Sequence, residues 1–449
     1  MTADWRADVR AAVRSDPRGA FSVGCVDWYG RLRTKQLHGA QLDKVLADGT
    51  AFTTAIFATD SAEVPMDDGV FQDPAAGFRD GRVVFDAASP YRDMCPSGPP
   101  GMLLLGQFAE PLAPFCPRAL LARECDRLAS HGLLVRGAFE VECHVLRETP
   151  DALAGKVPGL LTSHPEFARM YGHVGHARGA PLFDALRRAC DGSGVTLASL
   201  HAEYGGLLEA GLTPALGVAA ADRLTLYKTF TKIIAREHGA LAVFMARLSD
   251  RHEPAGGHLN LSLVDATDGA PCFAANGGHM LEEFLGGLQR YAPELFLLYA
   301  PHVNSFKRFG GAPFVPITNT WGVDNKTAAF RVVRATPAET RIEVRLPGAD
   351  VQPHLALAAT LAAGRRGLEE RLQPTAPVTG DARAPTAVRG AAFPADFGAA
   401  ISRWRDSACA REVFGAAFVD AFARSREWQL REFARAVTDW ELRQFGECV

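Results

Sequence analysis

The strongest constraint on the fold is the segment LVRGAFEVECHVL, residues 134–146, in which apolar and polar side chains alternate. This alternation predicts a β-strand with one buried face. Glu140 and Glu142 stand two positions apart, so their carboxylates face the same side of the strand, about 6 to 7 Å from each other. That separation suits two cations of a metal cluster, but it also falls within the range of an inverting glycosidase pair, and a solvated strand face would explain it as well. The pair alone leaves the chemistry open.

Further polar side chains recur on short segments that read as strands or turns. HAEYGGLLEAG places Glu203 and Glu209 around a glycine turn, with His201 beside them. AGGHLNLSL places His258, Asn260 and Ser262 on one strand face, and RIEVR contains Glu343. Hard oxygen ligands with little histidine favour magnesium or manganese over zinc. The sequence therefore predicts a carboxylate-rich site for divalent cations.

Arginines flank one of these glutamates. Arg341, Glu343 and Arg345 would share one strand face, and the attraction between them would lower the pKa of Glu343 and keep it ionised. The arginines could then bind a phosphate or a carboxylate in a fork geometry. Metal ions together with such arginines are the apparatus of phosphoryl transfer.

Turn-forming residues and the periodicity of apolar side chains predict two domains. Residues 1–112 are expected to form a strand-rich domain that begins with an amphipathic helix and the hairpin FSVGCVDWYGRLRTKQL. Within this domain, residues 43–110 are expected to form short strands. Residues 113–449 form the second domain, beginning with the helix CPRALLARECDRLASHG and with later helices at about 216–238, 278–299, 351–371 and 392–443. The Pro/Ala/Thr-rich stretch 374–390 is expected to be a loop within it.

Composition excludes several classes of partner. The net charge is −3, and cations and anions are interspersed, so nothing directs the chain to nucleic acid or to a membrane surface. No apolar run approaches the roughly 20 residues that span a bilayer. The nine cysteines include no Cys-x-x-Cys pair. We expect a cytoplasmic protein with reduced thiols.

Six segments of the chain resemble motifs of a known family. FEVEC, HAEYG, GGHLNLSL, PHVNSFKRF, WGVDNKTAAFRV and RIEVRLPGADVQPHLALAA follow the order and nearly the spacing of motifs in glutamine synthetases and their gamma-glutamyl-amine ligase relatives. The resemblance implies an α+β fold, with an N-terminal beta-grasp domain and a C-terminal catalytic domain built on a curved antiparallel sheet flanked by helices. It also implies ATP and Mg²⁺ or Mn²⁺ as cofactors.

The resemblance assigns roles to individual positions. It implies that one cation is held by Glu142, Glu203 and Glu209, and the other by Glu140, His258 and Glu343. Arg308 matches the arginine that binds the alpha-carboxylate of the amino acid, Arg345 the one near the reacting carboxylate, and Arg331 one that supports the transferred phosphoryl group. His201, Ser262 and Arg341 match positions that line the nucleotide pocket, and Lys326 stands where an arginine near the phosphoryl group is expected.

The segment NSFKRFGGAPFVP, residues 304–316, departs from the family pattern. Ammonia-using members carry a glutamate in this loop that attracts ammonium and takes its proton, and the matching position here is Phe314. A neutral aromatic ring cannot do that, but it can pack against an alkyl or aryl amine. We therefore expect an ATP-dependent ligase that joins a carboxylate to an organic amine, and the resemblance implies that this carboxylate is the gamma-carboxylate of glutamate.

Three alternatives stay open. Glu253-Pro254 replaces the Asn-Gly that usually helps to hold the amino acid, so the acid could be one other than glutamate. The chain could be a non-catalytic relative, although all six candidate metal ligands are kept, or a metal-dependent hydrolase. Relatives assemble into rings in which one subunit's beta-grasp domain completes its neighbour's site, so the resemblance implies a homo-oligomer, with Asp60 or Ser61 at the donated edge.

Overall fold

The structure is a computed structural model that describes residues 4–66, 79–94, 101–310, 312–384 and 390–449. Gly311, the second glycine of the 304–316 segment, and residues 385–389 of the expected loop lie outside this range. The remainder of that loop, residues 374–384, is irregular, as expected.

The N-terminal part combines two short helices with two small sheets. The elements are α1 Trp5–Ser15, β1 Ala20–Val26, β2 Leu32–His38, α2 Leu42–Asp48, β3 Thr50–Phe52, β4 Gly81–Val84, β5 Pro90–Asp93, β6 Gly101–Leu105 and β7 Gln107–Phe108. One sheet has the order β2-β1-β6-β5, and the other has the order β3-β4-β7. The hairpin of β1 and β2 is confirmed. Helix α2 was missed, since this stretch was expected to hold only strands.

A third, larger sheet carries the polar segments of the sequence. Its strands are β8 Leu133–Leu146, β9 Leu197–Glu203, β10 Leu207–Leu212, β11 Ala215–Leu216, β12 Leu241–Val243, β13 Gly257–Asp265, β14 Trp321–Val323, β15 Phe330–Val333 and β16 Arg341–Val344. The order is β14-β15-β16-β13-β8-β10-β9, with β11 and β12 also paired to β8. All neighbours are antiparallel except β14 and β15. The strand predicted around Glu140 and Glu142 is thus central to the sheet.

Helices surround this sheet. They are α3 Pro117–Ala129, α4 Pro150–Gly155, α5 His173–Arg178, α6 Ala180–Ser193, α7 Ala219–Glu237, α8 His279–Tyr291, α9 Val303–Lys307, α10 Pro353–Glu370, α11 Phe397–Asp406, α12 Ala408–Phe414, α13 Ala416–Arg435 and α14 Asp439–Phe445. The helices expected near 216–238 and 351–371 are confirmed, and α8 ends well before residue 299. The single helix expected over 392–443 is wrong. It is four helices, because Ser407 and Thr438 cap new helix starts and Gly415 takes a positive φ of 86°.

Buried polar contacts join the N-terminal part to the rest. Asp222 on α7 is fully buried and accepts hydrogen bonds from Arg118 at 3.2 Å and from Tyr91 of β5 at 3.2 Å, and it lies 2.7 Å from His354 Nε2. Trp28 donates to the Phe115 carbonyl at 2.8 Å. The main hydrophobic core runs through both parts without a break. The domain boundary at residue 112 therefore stays a prediction, although the small sheets precede it and the large sheet follows it.

Two other expectations concern cysteines and membranes. The eight cysteines within the described residues form no disulfide with one another. None of the helices in this part of the chain combines the length and apolar character that crossing a membrane requires.

Candidate active site

Three neighbouring strands bring Glu140, His258 and Glu343 together. The register sets His258 on β13 opposite Glu140 on β8, and Asn260, two residues on, opposite Glu343 on β16. His258 Nδ1 lies 3.3 Å from a Glu343 carboxylate oxygen and 3.8 Å from one of Glu140. The ligand atoms of all three lie within 4.8 Å of one another, which is close enough to share one cation. We call these three residues the inner cluster.

Arginines keep the inner cluster ionised. Arg331 Nη1 donates to Glu343 Oε2 at 2.9 Å, and Arg345 Nη1 donates to Glu343 Oε1. Burial would raise the pKa of Glu343, but His258 and Arg345 hold it below its usual range. The adjacent His258 ring also lowers the pKa of Glu140 to about 2. Both carboxylates are therefore ready ligands at neutral pH.

The arginine pair around Glu343 differs from the prediction. Arg341 Nε donates to Asn260 Oδ1 at 3.0 Å and Arg341 Nη1 to the Glu339 carbonyl at 3.3 Å, so its guanidinium is bound to these acceptors and not to Glu343. Arg331 takes its place, because β15 pairs with β16 and sets Arg331 directly opposite Glu343. Reasoning along one strand could not identify a partner that arrives from the next strand.

A second group, the outer cluster, consists of His201, Glu203 and Glu209. The β9–β10 hairpin sets Glu209 opposite His201, and its turn contains Gly205 and Gly206, both at positive φ, a conformation that glycine adopts without strain. His201 Nε2 lies 3.0 Å from a Glu203 oxygen and 3.4 Å from a Glu209 oxygen. The three ligand atoms also lie within 4.8 Å of one another.

The outer cluster includes His201, a residue to which the resemblance gave another role. His201 was expected at the nucleotide and Glu142 beside Glu203 and Glu209. Glu142 is paired opposite Glu209 in the β8–β10 register, but its carboxylate accepts a hydrogen bond from the Gly256 backbone N–H. Glu142 therefore adjoins the outer cluster, and its assignment to one cation together with Glu203 and Glu209 stays a prediction.

Glu209 has an unusual electrostatic environment. Burial together with the charges of Glu140, Glu142 and Glu203 raises its pKa to about 9. Crowded carboxylates of this kind repel one another unless a cation lies between them. The donor set of both clusters is mostly carboxylate oxygen with one imidazole each, which fits Mg²⁺ or Mn²⁺.

Arg308 is a buried cation. It is 2% exposed, and its guanidinium donates to the main-chain carbonyls of Arg345 and Leu346 at 3.0 to 3.4 Å. Within the described residues it forms no ion pair, and its Nε has no hydrogen-bond partner. Burial lowers the pKa of Arg308 to about 10. An anionic group brought to this position would compensate the charge.

Phe314 lies in a cleft with two of the cations named in the sequence analysis. It is 60% exposed, and the cleft, of about 700 Å³, is also lined by Lys326 and Arg331. Val323, Pro377 and Val378 supply apolar walls, and Asp324 and Asp381 supply carboxylates. Asp324 Oδ1 accepts a hydrogen bond from Arg331 Nε at 3.0 Å. The cleft therefore offers apolar contact, with two carboxylates and two cations in its walls, next to the arginine that holds Glu343.

Two further residues are Ser262, which the sequence analysis named, and Tyr171, which it did not name. Ser262 lies on β13, on the same side as His258 and Asn260, since the residues between them are buried. Tyr171 was missed: its ring stacks on His201 with centroids 4.7 Å apart, and a hydrogen bond with Glu203 raises its pKa to about 12. It lies in an irregular stretch between short helices, where periodicity gives no signal.

A comparison with protein families decides the classification. The model for the glutamine synthetase catalytic domain matches residues 114–445. The chain belongs to the glutamine synthetase family. The resemblance inferred from the sequence motifs is thereby confirmed, and so is the α+β fold.

Similar members of the glutamine synthetase family include ligases named for organic amines. The chain is 34% identical to a gamma-glutamylethanolamide synthetase of Streptomyces coelicolor, over 94% of this chain and 91% of that protein. It is 29% identical to a glutamate–isopropylamine ligase of a Pseudomonas species, over 98% of each. Among solved structures, GmaS in complex with ADP shares the fold, with a TM-score of 0.83 at 23% identity, covering 98% of this chain and 100% of that one.

Proposed function

We propose that the protein is an ATP-dependent ligase that joins the gamma-carboxylate of glutamate to an organic amine. The observation that carries the proposal is the placement of two carboxylate–histidine clusters on one sheet, with Arg331 and Arg345 on Glu343 and an apolar cleft at Phe314 beside them. The relatives named as a gamma-glutamylethanolamide synthetase and a glutamate–isopropylamine ligase support the choice of an organic amine.

The clusters would serve the first step, transfer of the terminal phosphoryl group of ATP to the acid. The inner cluster would hold one divalent cation, and the outer cluster, with Glu142 beside it, would hold another. Such cations neutralise the charge of phosphate oxygens during transfer. Arg308 would bind the alpha-carboxylate, because it is a buried cation without an anionic partner among the described residues. Arg331 and Arg345 would face the phosphoryl group.

The Phe314 cleft would serve the second step. An amine is protonated in neutral solution, so it must be attracted as a cation and then lose a proton before it attacks the acyl phosphate. Asp324 and Asp381 supply the negative charge, and Phe314, Val323 and Val378 contact the organic part. The ammonium gives one proton to a carboxylate of the cleft or to water. The amine nitrogen then forms a bond to the acyl carbon as the C–O bond to phosphate breaks, and the second proton leaves with the departing phosphate.

Two further aspects belong to the same proposal. The free cysteines fit the reducing cytoplasm, where we place the reaction. We also propose assembly into a homo-oligomeric ring. In the structure Asp60 accepts a hydrogen bond from Trp428 at 3.3 Å, and the Ser61 carbonyl accepts one from Arg31, both within the same chain. Light scattering would give the size of the assembly.

The test of function is phosphate release from ATP and Mg²⁺ across a grid of carboxylic acids and amines. We expect release that requires both glutamate and an organic amine, with little release when ammonium replaces the amine or when no amine is added. Release with another acid would redirect the acid assignment to the alternative raised by Glu253-Pro254. Absence of release throughout the grid, from protein that binds ATP, would favour a non-catalytic role.

A further inference from the structure

Helix α9 ends directly before Arg308, so the position of this arginine depends on the position of the helix. α9 comprises the five residues Val303–Lys307. A helix of this length is not stable by itself, because it contains too few internal hydrogen bonds. Contacts with other elements must therefore hold it. One of them is the Asn304 side chain, which accepts the Arg247 N–H at 3.0 Å and donates to the Arg247 carbonyl at 2.8 Å.

A different contact joins α9 to the segment that follows Arg345. The Ser305 hydroxyl is buried, donates to Asp350 Oδ2 at 2.6 Å and accepts the His302 backbone N–H at 3.0 Å. Ser305 lies three residues before Arg308, and its carbonyl accepts the Arg308 N–H at 3.2 Å. The hydrogen bond between Ser305 and Asp350 therefore fixes the helical turn that leads into Arg308.

Asp350 is a fixed acceptor because its backbone is held on both sides. Lys228 Nζ, from α7, donates to the Ala349 carbonyl at 2.8 Å and to the Val351 carbonyl at 3.2 Å. Lys228 is buried, and so are Ala349 and Val351. Hydrogen bonds in a buried environment face little competition from water, so the peptide units around Asp350 are held firmly. The carboxylate thus anchors α9 to a rigid segment.

The second oxygen of Asp350 lies close to Arg308. Asp350 Oδ1 is buried and has no hydrogen-bond partner among the described residues. Gly348 makes room for this approach, since a Cβ at position 348 would lie 2.8 Å from Asp350 Oδ1 and 3.4 Å from Arg308 Cδ. Burial raises the pKa of Asp350. The Ser305 hydroxyl and the cations Lys228 and Arg308 lower this pKa and so act in the opposite direction.

We propose that Asp350 is a positioning residue for Arg308. Through the Ser305 hydroxyl it fixes α9 against the segment that follows Arg345, and it thereby sets the position of the Arg308 guanidinium. Neither Asp350 nor Ser305 belongs to the inner or the outer cluster.

The consequence for the reaction concerns the acid. In the proposed reaction Arg308 binds the alpha-carboxylate, and a contact between a guanidinium and a carboxylate requires a defined geometry. A displaced α9 would weaken this contact, whereas the inner cluster, on β8, β13 and β16, would stay in place. Asp350 should therefore determine KM for the acid and have little effect on kcat. This consequence rests on the proposed function, but the fixation of α9 does not.

Hydrogen–deuterium exchange of the full chain tests the fixation of α9 without any need for turnover. Peptides that cover residues 303–309 report the N–H groups of Arg308 and Phe309, which donate to carbonyls of α9. We expect these amides to exchange about tenfold faster in Asp350→Ala than in the wild type, because the helix loses its anchor. Exchange in β8 should be the same in both proteins.

Two control variants separate the anchor from other effects. Asp350→Asn keeps an acceptor oxygen for the Ser305 hydroxyl and should leave the exchange of α9 close to that of the wild type. Asp126→Ala, an exposed change on α3, should also exchange like the wild type. If α9 exchanges at the wild-type rate in Asp350→Ala, the proposal is wrong.

A double-mutant cycle tests the route through Ser305. Ser305→Ala removes the donor of the same hydrogen bond, so Asp350→Ala should add little to the exchange of α9 when Ser305→Ala is already present. Effects of the two substitutions that multiply would show that Asp350 does not act through Ser305, which would overturn the proposal.

Steady-state phosphate release tests the consequence for the acid. With L-glutamate varied at saturating Mg·ATP and ethylamine, we expect KM for glutamate to rise about tenfold in Asp350→Ala, with kcat changed by less than about twofold. KM for ATP should not change. A general loss of structure would not separate these constants, so equal rises in KM for glutamate and for ATP would contradict a positioning role.

The two measurements also separate this proposal from the proposed function. If the wild type uses another acid of the grid, the same comparison of KM is made with that acid. If the wild type releases no phosphate with any acid, the proposed function fails, and hydrogen exchange still decides whether Asp350 fixes α9.

Discussion

Arg331 and Glu343 lie opposite each other on adjacent antiparallel strands, and a hydrogen bond of 2.9 Å joins Arg331 Nη1 to Glu343 Oε2. The same arginine is bound on its other side by Asp324. One guanidinium thus connects the inner cluster to the Phe314 cleft. In the proposed reaction these are the sites of phosphoryl transfer and of amine attack, so the two steps would share a cation.

Replacement of Glu343 by alanine should remove this connection. The variant loses a candidate metal ligand and leaves Arg331 and Arg345 without their shared carboxylate, so we expect ATP turnover to fall by about 100-fold or more. Glu339→Ala, an exposed change just before the same strand, should retain turnover. Steady-state phosphate release measures both. Turnover like that of the wild type in Glu343→Ala would refute the assignment of the inner cluster.

Phe314 should determine the choice of amine. Phe314→Glu introduces a carboxylate at an exposed position of the cleft, where it can attract ammonium, and removes the ring that contacts an alkyl group. We expect kcat/KM for ammonium to rise and kcat/KM for ethylamine to fall, each by about tenfold. Phe314→Leu, which keeps an apolar side chain, should preserve the preference for ethylamine. If the ratio of the two kcat/KM values is the same in all three proteins, the loop does not select the amine.

Glu209 should destabilise the metal-free protein. Because its folded pKa is about 9 and its ordinary pKa is 4.5, the native state binds more protons than the unfolded state between these values, and stability falls as pH rises. Glu209→Gln removes this loss of stability. At pH 8 in the presence of a chelator, we therefore expect the variant to have a Tm about 2–4 °C above that of the wild type.

The second part of the Glu209 experiment repeats the Tm measurement with manganese. The ion should raise the Tm of the wild type by compensating the crowded carboxylates, and should raise that of Glu209→Gln less, because one ligand is gone. Glu282→Gln, on the first turn of α8, is a control that should follow the wild type in both conditions. Equal manganese shifts in wild type and Glu209→Gln would contradict a role of Glu209 in cation binding.

Local patterns were sufficient to predict the strand of Glu140 and Glu142, because alternation along one strand reports its buried face. The resemblance to the family grouped Glu140, His258 and Glu343, and the sheet brings the ligand atoms of these three residues within 4.8 Å of one another. Local patterns did not identify contacts that come from other strands: Arg331 reaches Glu343 from β15, and His201 lies beside Glu203 and Glu209. Register between strands is a tertiary property, and a single strand's sequence does not contain it.

The C-terminal helices illustrate a second limit. Residues 392–443 are mostly helix-forming in composition, so propensity predicted one helix, but Ser407 and Gly415 interrupt it. These breaks let α13 turn back so that Phe418 and Phe422 pack against Trp28 near the N-terminus, with ring centroids 6.0 and 5.8 Å away. Such long-range packing overrides local propensity.

His144 should make the protein sensitive to acid. Burial, and then the neighbouring His252, lower its pKa from 6.5 to about 3, so the folded protein keeps the ring neutral while the unfolded chain takes up a proton below pH 6.5. Stability is therefore complete above pH 6.5 and falls as pH decreases toward 3, by roughly 2 kcal/mol at pH 5. His144→Phe retains a ring of similar shape without a titrating nitrogen, so the urea midpoint should change less between pH 7.5 and pH 5 than in the wild type. His279→Gln, an exposed change, should keep the full dependence. If His144→Phe and the wild type lose the same stability on acidification, another group is responsible for it.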